Sequence, residues 1–311
     1  MNHADKPIFW IVTPSFNHLA WMKCCIASVA DQAGDGTIVV HHHIQDACST
    51  DGTAPWLAAY ADHLRANPVP NYTFSFATEK DEGMYDAINR GWRRAPQNVD
   101  IVAHLNADEQ YLEGALSRVA KTLIAQPKND IWVADIVVID KRGAYCCSRQ
   151  VLVPFYWHTY LWVVGTFTAA TFFRRSLLDR QQAYFDAGWK TIGDAVWVLD
   201  RLQQGARFKV IRQYVAAFAD TGKNLALSPI ATTERERLAA ASPKWARAMK
   251  RVWLDHHRLR RLAHGLYRPR PFSYAIYRPE NTDQRQSFQV QTPTPYWLTR
   301  LRRDRNTQCV Y

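Results

Sequence analysis

The chain lacks the features that mark secreted, repetitive or zinc-dependent proteins. Its six cysteines include the neighbouring pairs Cys24/Cys25 and Cys146/Cys147 and show neither disulfide nor zinc spacing, so we interpret them as reduced thiols of a cytoplasmic protein. Residues 1–7 contain no cationic segment that leads into an apolar one, which argues against a secretory signal. No internal repeat or low-complexity tract stands out, which argues against a repeat architecture.

The longest uncharged stretch, residues 151–173, does not predict a membrane span. It is long enough to cross a bilayer and carries no Asp, Glu, Lys or Arg. Pro154, His158 and Gly165 interrupt it, however, together with several threonines and tyrosines. Because aromatic and β-branched residues favour strands, we expect this stretch to form strands and a pocket wall.

Apolar residues, by contrast, are abundant. They make up 47% of the 311 residues, which is typical of a globular protein and argues against a disordered one. A chain of this length can bury a substantial core in one or two domains.

The positive charge is confined to the last quarter of the chain. Residues 1–240 hold 24 Lys and Arg against 24 Asp and Glu, a net charge of zero. Residues 241–311 hold 15 against 4, which accounts for the whole formal charge of +11. Only this basic segment suggests a nucleic-acid partner, and since the body is neutral we expect none.

Short apolar runs alternate with helical segments such as Trp21–Ala30 and Ala54–Ala66. This order predicts an α/β fold with a mostly parallel central sheet and helices on both faces. The predicted strands are Ile8–Val12, Thr37–Gln45, Tyr72–Thr78, Ile101–Leu105 and Ile131–Ile139.

The strand Ile101–Leu105 ends abruptly on the oxygen-bearing side chains Asn106, Asp108 and Glu109. In open α/β sheets, ligands bind beyond the carboxyl ends of the strands, so a charged substrate would lie here. Oxygen ligands suit hard cations such as Mg²⁺ or Mn²⁺, which commonly bridge a protein carboxylate and a diphosphate. An ordinary polar turn after a strand is the alternative.

Five motifs recur at the ends of these elements: Thr13-Pro-Ser-Phe-Asn17, Asp46-x-x-Ser-Thr-Asp-Gly-Thr53, Glu79-x-Asp-x-Gly-x-Tyr-Asp-Ala-x-Asn-x-Gly91, Leu105-Asn-Ala-Asp-Glu109 and Gly193-Asp194. Together they resemble the motifs of family 2 glycosyltransferases, in particular the bacterial group that builds colanic-acid-type and other surface polysaccharides. The resemblance covers residues 7–225, and five motifs in register are far more specific than one.

The resemblance implies the nucleotide-diphospho-sugar transferase fold called GT-A, with a catalytic domain over residues 1–240. Its nucleotide-sugar half spans about 7–110 and its acceptor half about 111–225, and a basic helical C-terminal extension occupies 241–311. The implied reaction moves a sugar from a nucleotide-diphosphate donor, with UDP favoured over GDP or dTDP, to a saccharide or lipid-linked hydroxyl with inversion. The alternative is a non-catalytic binding or scaffold protein that keeps the fold.

Residue roles on the donor side also follow from the resemblance. Asp46 would accept hydrogen bonds from the nucleobase, and Asp108 would bind a divalent metal, Mn²⁺ or Mg²⁺. Asn106 stands where the family more often has a carboxylate, which removes one negative charge. Capping is the competing role for Asp81, and also for Asp51 in the second motif. The other expected donor-binding residues are Thr13, Pro14, Asn17, Asp81, Gly83, Asn89, Asn106 and Ala107.

Asp194 matches the family's general base, which takes the proton of the acceptor hydroxyl as it attacks. Because helix N-termini favour anions, a capping carboxylate is the alternative. The family usually has His or Gln just before its Ala-Thr-Phe-Phe run, where this chain has Thr168 and Ala169. That difference puts an acceptor contact from this position in doubt.

Two other patterns carry no site prediction. His41–His43 lies within a predicted strand, where neighbouring side chains point to opposite faces, so a zinc site there is geometrically poor. Gln204–Phe208 has the spacing of a processive-synthase signature but lacks its tryptophan, and we interpret it as a helix-to-strand turn.

Residues 241–270 combine nine Lys and Arg with a single acid, Asp255. Trp245, Met249, Val252 and Trp253 recur at helical spacing, so one face of a helix would be apolar and the rest cationic. One interpretation is docking on an anionic membrane, which would make the protein peripheral on the inner face of the cytoplasmic membrane. The other is that the apolar face packs on the catalytic body.

Overall fold

The first hundred residues build the parallel half of a nine-stranded sheet. The computed structural model describes residues 6–161, 165–220 and 228–297. The strands of this half are β1 (Ile8–Ser15), β2 (Val39–Asp46), β3 (Tyr72–Thr78) and β4 (Ile101–His104). They lie in the order β3, β2, β1, β4 and are parallel throughout, so the α/β prediction is confirmed.

The other half of the sheet mixes strand directions. Its strands are β5 (Glu109–Tyr111), β6 (Ile131–Asp140), β7 (Tyr145–Arg149), β8 (Thr171–Arg174) and β9 (Phe208–Asp220). The strand β8 runs antiparallel between β4 and β6, whereas β9 is parallel to β6 and antiparallel to β5. Every residue of β6 is buried, including Asp135 and Asp140 among its otherwise apolar side chains.

Helices cover both faces of the sheet because successive side chains of a strand point to opposite faces. The helices are α1 (Leu19–Ala30), α2 (Thr53–Ala66), α3 (Met84–Arg93), α4 (Ala115–Ala125), α5 (Tyr156–Leu161), α6 (Ser176–Arg180), α7 (Gly193–Gln203), α8 (Pro229–Ala240), α9 (Lys244–Ala248) and α10 (Lys250–Ala263). Phe9 and Ile11 of β1 join a core with α1 and α4, whereas Trp10 and Val12 join a second core with α3 and α7.

The uncharged stretch 151–173 is not the run of strands that its composition predicted. It contains the helix α5 and a short 3-10 turn, Thr168–Ala170, before β8 begins, and residues 162–164 lie outside the described residues. The aromatic residues of α5 favour a helix here because they pack against α7 and α8, so tertiary contact overrides β propensity. Across the described ranges, no helix is both long and apolar enough to span a bilayer.

The C-terminal extension is helical only in its first part, which corrects the prediction. After α10 the chain forms an antiparallel hairpin of β10 (Phe272–Arg278) and β11 (Asn281–Val290). Tyr274 and Ile276 of this hairpin pack against Val137 and Ile139 of β6. The alternation of polar and apolar residues in β10 is the strand signal that the count of basic residues obscured.

Gly91, in the last turn of α3, lies where α3 crosses β1. A Cβ at this position would lie 2.5 Å and 2.9 Å from the two Cγ atoms of Val12. The main chain is held in place because Trp10 Nε1 donates a hydrogen bond to Gly91 O at 3.0 Å. Glycine at this position therefore allows the helix to approach the strand closely.

We predict that Gly91→Ala lowers the free energy of unfolding by about 1–2 kcal/mol, since overpacking outweighs the better helix propensity of alanine. Urea denaturation measures the change. The matched control is Gly165→Ala, where no heavy atom lies within 4 Å of the added Cβ and stability should hardly change. A Gly91→Ala protein as stable as the parent would show that the helix can move away at no cost.

Candidate active site

The loops that follow β1 and β2 are joined at the carboxyl edge of the sheet. Asp46 ends β2, is fully buried, and accepts hydrogen bonds from Ser49 Oγ at 2.5 Å and Ser49 N at 3.1 Å. Asn17 N donates to Ser49 Oγ at 2.8 Å, and Asn17 Oδ1 accepts from Thr50 N at 2.8 Å. The structure therefore brings the predicted donor residues Asn17 and Asp46 together through Ser49.

Thr13 and Pro14 are buried near the end of β1. The Thr13 hydroxyl lies 2.9 Å from His42 Nε2 and 3.5 Å from Cys25 Sγ, inside the protein. The Thr13 side chain thus has internal partners, and the donor contacts expected of Thr13 and Pro14 stay predictions. A contact between Thr13 and the donor would therefore come from the Thr13 main chain.

Asp51 has the capping role that was the alternative to ligand binding. One carboxylate oxygen accepts a hydrogen bond from Leu19 N at the start of α1, at 2.9 Å. The other accepts from Thr53 N and Thr53 Oγ1 at the start of α2, at 3.2 and 2.6 Å. A single carboxylate thus fixes the first turns of two helices, which satisfies main-chain donors that would otherwise lack partners.

The loop before α3 places a second carboxylate near Asp46. Asp81 Oδ1 accepts a hydrogen bond from Gly83 N at 2.9 Å, which closes a tight turn. Burial raises the pKa of Asp81, and the neighbouring charges of Asp86 and Asp46 raise it further. Gly83 has φ +124° and nothing within 4 Å of where a Cβ would stand, so its main chain faces open space.

Asn89 has a structural role in the protein, and the donor contact expected of it stays a prediction. Its side chain is 3% exposed and is used at both ends: Nδ2 donates to Phe185 O and Oδ1 accepts from Phe185 N, each at 2.8 Å. The Asn89 amide thus joins α3 to the loop before α7. A family motif shows that an asparagine is expected here but not whether it binds a ligand or the protein main chain.

The segment after β4 gathers oxygen atoms that have no protein partner. Asn106 N donates to Glu109 Oε2 at 2.8 Å, which holds the turn. Among the residues that the structure describes, Asn106 Oδ1 and Glu109 Oε1 are buried and make no hydrogen bond. Asp108 is half-buried beside them. Ala107 packs into the core with Met22, Ile26, Ile44 and Leu57, and the donor contact expected of it stays a prediction.

Electrostatics make this segment suited to a cation. Burial raises the pKa of Asp108, and burial together with the Asp108 charge raises the pKa of Glu109 to about 8. Within residues 6–161, 165–220 and 228–297, no three His, Cys, Asp or Glu side chains are arranged to hold a metal by themselves. Mg²⁺ is usually bound by one or two carboxylates plus substrate phosphates, so Asp108 with the free oxygens of Asn106 and Glu109 fits such an ion.

Asp194 lies in the first turn of α7, as predicted. Its Oδ1 accepts from Ala195 N at 2.9 Å and from the Tyr85 hydroxyl at 3.4 Å. Burial raises the pKa of Asp194, and these two hydrogen bonds oppose the rise. A cavity beside the carboxylate is lined by Thr166, Thr168, His104, Thr171, Val198 and the rings of Trp92, Phe173, Phe185 and Trp197.

This cavity reaches from Asp194 to the last residue of β4. His104 ends β4 two residues before Asn106, and its Nε2 is buried without a hydrogen-bond partner among the described residues. Thr168, at the position where the family usually has His or Gln nearby, also lines the cavity. Asp194 is therefore placed close to the end of the strand that carries Asn106 and Asp108.

Sequence reasoning missed Glu234 of α8. Its carboxylate accepts hydrogen bonds from Lys190 N, Thr191 N, Thr191 Oγ1 and Ile192 N at 2.7, 2.9, 2.6 and 3.2 Å, which fixes the loop before Asp194. Glu234 lies beyond the last motif, and nothing in its local sequence distinguishes it from a surface helix glutamate.

The histidine run in β2 forms no metal site. The side chains of His41, His42 and His43 contact Thr73, Thr13 and Ser75 respectively. Burial lowers the pKa of His42 to about 3 and that of His43 to about 4, so both rings are neutral.

Comparison with known proteins gives the class of this fold and site. The chain matches Glycosyl transferase family 2 over residues 10–182, more than half of its length, and it belongs to that family. The resemblance inferred from the motifs is confirmed.

Particular relatives are more distant. The PGL/p-HBAD biosynthesis glycosyltransferases of Mycobacterium tuberculosis and Mycobacterium bovis are 29% identical over 139 residues, which is 42% of this chain and 48% of theirs. The chain thus spans about half the length of the curated relatives it matches.

Solved structures with this fold include Staphylococcus aureus TarS 1–349 in complex with UDP-GlcNAc, at TM-score 0.55 and 18% identity over 75% of this chain and 65% of that one. The mannosyltransferase PcManGT from Pyrobaculum calidifontis, in complex with GDP-Man and Mn²⁺, has TM-score 0.51 and 17% identity over 83% and 81%. These similarities confirm the predicted GT-A fold.

The structural role of Asn89 is testable. Asn89→Ala would leave Phe185 N and Phe185 O buried without partners, so we predict a loss of about 2–4 kcal/mol in the free energy of unfolding. Urea denaturation measures it, and Asn98→Ala, at an exposed position, is the control. Unchanged stability combined with lost nucleotide binding would restore the donor role of Asn89.

Proposed function

We propose that the protein transfers a sugar from a nucleotide-diphosphate donor, a UDP-sugar, to an acceptor hydroxyl with inversion at the anomeric carbon. The observation that carries this proposal is the placement of Asp194 beside the end of β4, where Asn106, Asp108 and Glu109 gather. The complexes of TarS with UDP-GlcNAc and of PcManGT with GDP-Man, on the same fold, support a nucleotide-sugar donor.

In this proposal the donor lies across the carboxyl ends of β1 to β4. Asp46 accepts a hydrogen bond from the nucleobase, and the Asn17 loop and the open main chain at Gly83 flank the nucleotide. Asp108 holds a divalent Mn²⁺ or Mg²⁺ together with the free oxygens of Asn106 and Glu109. The ion, when bound, offsets the charge that develops on the departing diphosphate.

Asp194 takes the proton from the acceptor hydroxyl. The hydroxyl oxygen forms a bond to the anomeric carbon while the bond from that carbon to the diphosphate oxygen breaks. A carboxylate whose pKa is raised by burial is a better proton acceptor near neutral pH than an exposed aspartate. The aromatic rings around Asp194 keep water away from it.

The proposed acceptor is a saccharide or a lipid-linked sugar of a surface polysaccharide. The mycobacterial relatives are likewise named as glycosyltransferases of a biosynthesis, that of PGL/p-HBAD. We assign transfer to residues 1–240, divided near residue 110 into donor and acceptor halves, and assign the C-terminal extension to placement of the enzyme.

A non-catalytic scaffold is the second candidate. Asn106 in place of a carboxylate and Thr168 at the acceptor position favour it, whereas the retained Asp46, Asp108 and Asp194 favour the enzyme. Release of UDP from a panel of UDP-sugars, with and without Mn²⁺, distinguishes the two.

The metal and base assignments predict opposite behaviour for two variants. Asp108→Ala should abolish Mn²⁺-dependent binding of UDP because it removes the half-buried carboxylate at the proposed cation site. Asp194→Asn should bind UDP nearly as well as the parent but turn over about 10²–10⁴ times more slowly, since proton acceptance is lost. Calorimetry with UDP and Mn²⁺ and the UDP-release assay measure both, with Asp62→Ala as the exposed control. Tight UDP–Mn²⁺ binding by Asp108→Ala, or full turnover by Asp194→Asn, would contradict the assignments.

We also propose that α9 and α10 dock the protein on an anionic membrane. Trp253 and His256 face the body, where their rings contact Phe155, so one side of α10 packs as the second interpretation predicted. An adjacent side of the helix is open: Val252, Leu259 and Leu262 are 53%, 63% and 64% exposed. The exposed apolar side chains could insert among the acyl chains of an anionic leaflet. The nine Lys and Arg of residues 241–270 would then contact its negatively charged headgroups.

Substitution of Val252, Leu259 and Leu262 by serine should lower co-sedimentation with phosphatidylserine-containing vesicles several-fold and leave the fold intact. Phosphatidylcholine vesicles and 0.5 M salt should weaken binding of the parent because the basic residues act through charge, at about 1 kcal/mol each. Ile124→Ser removes an equally exposed apolar residue from α4 and should change nothing. Equal partitioning of parent and triple variant would exclude this surface.

A further inference from the structure

We propose that Tyr85 is a positioning residue that connects the donor loop to the general base, so that the orientation of Asp194 depends on the loop that receives the donor. This inference rests on the proposed function, in which Asp194 is the base. Tyr85 is the second residue of α3, two positions after Gly83, and it is 3% exposed.

The Tyr85 hydroxyl makes two contacts to the same residue of α7. It donates to Asp194 Oδ1 at 3.4 Å and accepts from Asp194 N at 3.3 Å. Burial raises the pKa of Tyr85 well above its ordinary value, so the phenol stays protonated and acts as a donor. A single hydroxyl thus contacts both the main chain that starts α7 and the carboxylate that projects from it.

The fit between the two helices is close. Gly193 packs directly against the ring of Tyr85, where an added Cβ would lie 2.7 Å from Cε2 and 3.0 Å from Cζ. Because Gly193 has no side chain, the N-terminus of α7 can approach the ring closely enough for the hydroxyl to reach Asp194. This close packing explains why a glycine precedes Asp194 in the Gly-Asp motif.

Three further contacts make the connection stiff. Asn89 is four residues after Tyr85, on the same face of α3, and binds both main-chain groups of Phe185. Lys190 Nζ donates to Glu82 O in the donor loop at 3.1 Å. Glu234 holds residues 190–192 from the other side. The donor loop and the loop before Asp194 therefore form one bonded unit.

Within this unit, Glu234 fixes residues 190–192, whereas the Asp194 carboxylate accepts hydrogen bonds from the Tyr85 hydroxyl and from Ala195 N. The positive charge of Arg235 in α8 also lowers the pKa of Asp194. The direction of the carboxylate is thus sensitive to where Tyr85 stands. Tyr85 lies in the first turn of α3, directly after the donor loop. A donor that fixes the conformation of this loop at Gly83 therefore also fixes the orientation of the Asp194 carboxylate.

Tyr85→Phe tests the proposal because it keeps the ring that packs on Gly193 and removes only the hydroxyl. We expect kcat to fall about tenfold or more, the worth of one hydrogen bond to a charged group, with donor KM nearly unchanged. The base must be deprotonated, so activity is lost as pH falls through its pKa. Loss of a hydrogen bond to the carboxylate raises that pKa, so the acid limb of the kcat profile should move upward by about 0.5–1 pH unit.

Thermal unfolding of Tyr85→Phe confirms that the variant is folded, and Tyr184→Phe is the control for loss of a tyrosine hydroxyl outside the site. A Tyr85→Phe protein with the parental kcat and the parental pH dependence of kcat would overturn the proposal. A lower kcat with an unshifted acid limb of the pH profile would overturn it as well. Asp194→Asn, assayed beside it, separates the two hypotheses: full activity there refutes the base itself, whereas an inactive Asp194→Asn with a normal Tyr85→Phe refutes only the connection.

Discussion

The parallel pairing of β1 with β2 on one side and β4 on the other is the constraint on which the site depends. The register places Ser15 beside Asp46 and Val12 beside His104, so three loops leave the sheet at one edge. A slip of one residue would turn every side chain of β1 to the opposite face and separate both cores from their helices. Gly91 and Trp10 hold α3 against β1 and thereby keep the donor loop at this edge.

This edge is rich in acid, and the protein compensates its charges unevenly. Main-chain donors at two helix starts stabilise the charge of Asp51, and Ser49 stabilises that of Asp46. Glu109 has a single main-chain partner, Asn106 N, and its Oε1 has no hydrogen bond among the described residues, so a cation would find a free oxygen beside Asp108. The uneven compensation thus separates the carboxylates that build the loops from those that are left for chemistry.

The order of the elements and most of the site positions could be predicted from the sequence, because strand periodicity and motif spacing are local properties. The roles of individual side chains could not. Asn89 and Asp51 lie inside motifs yet bind main-chain groups, and Glu234 lies outside every motif yet fixes the loop of the base. Which partner a polar side chain meets depends on contacts between residues far apart in sequence. The aromatic stretch around α5 and the hairpin β10–β11 were missed for the same reason, since their conformations follow from the surfaces they pack on.

The C-terminal hairpin has a consequence for the order in which the protein matures. Gln110 follows Glu109 directly, and its amide exchanges two hydrogen bonds with the main chain of Tyr277, at 2.8 and 2.9 Å. Arg285 and Tyr277 also bind Asp31 at the end of α1. A nascent chain emerges from the ribosome N-terminus first, so β5 lacks these partners until the hairpin has been synthesised. The strand next to the acidic turn therefore gains these hydrogen bonds only after translation has passed residue 285, although every motif has been synthesised well before that point.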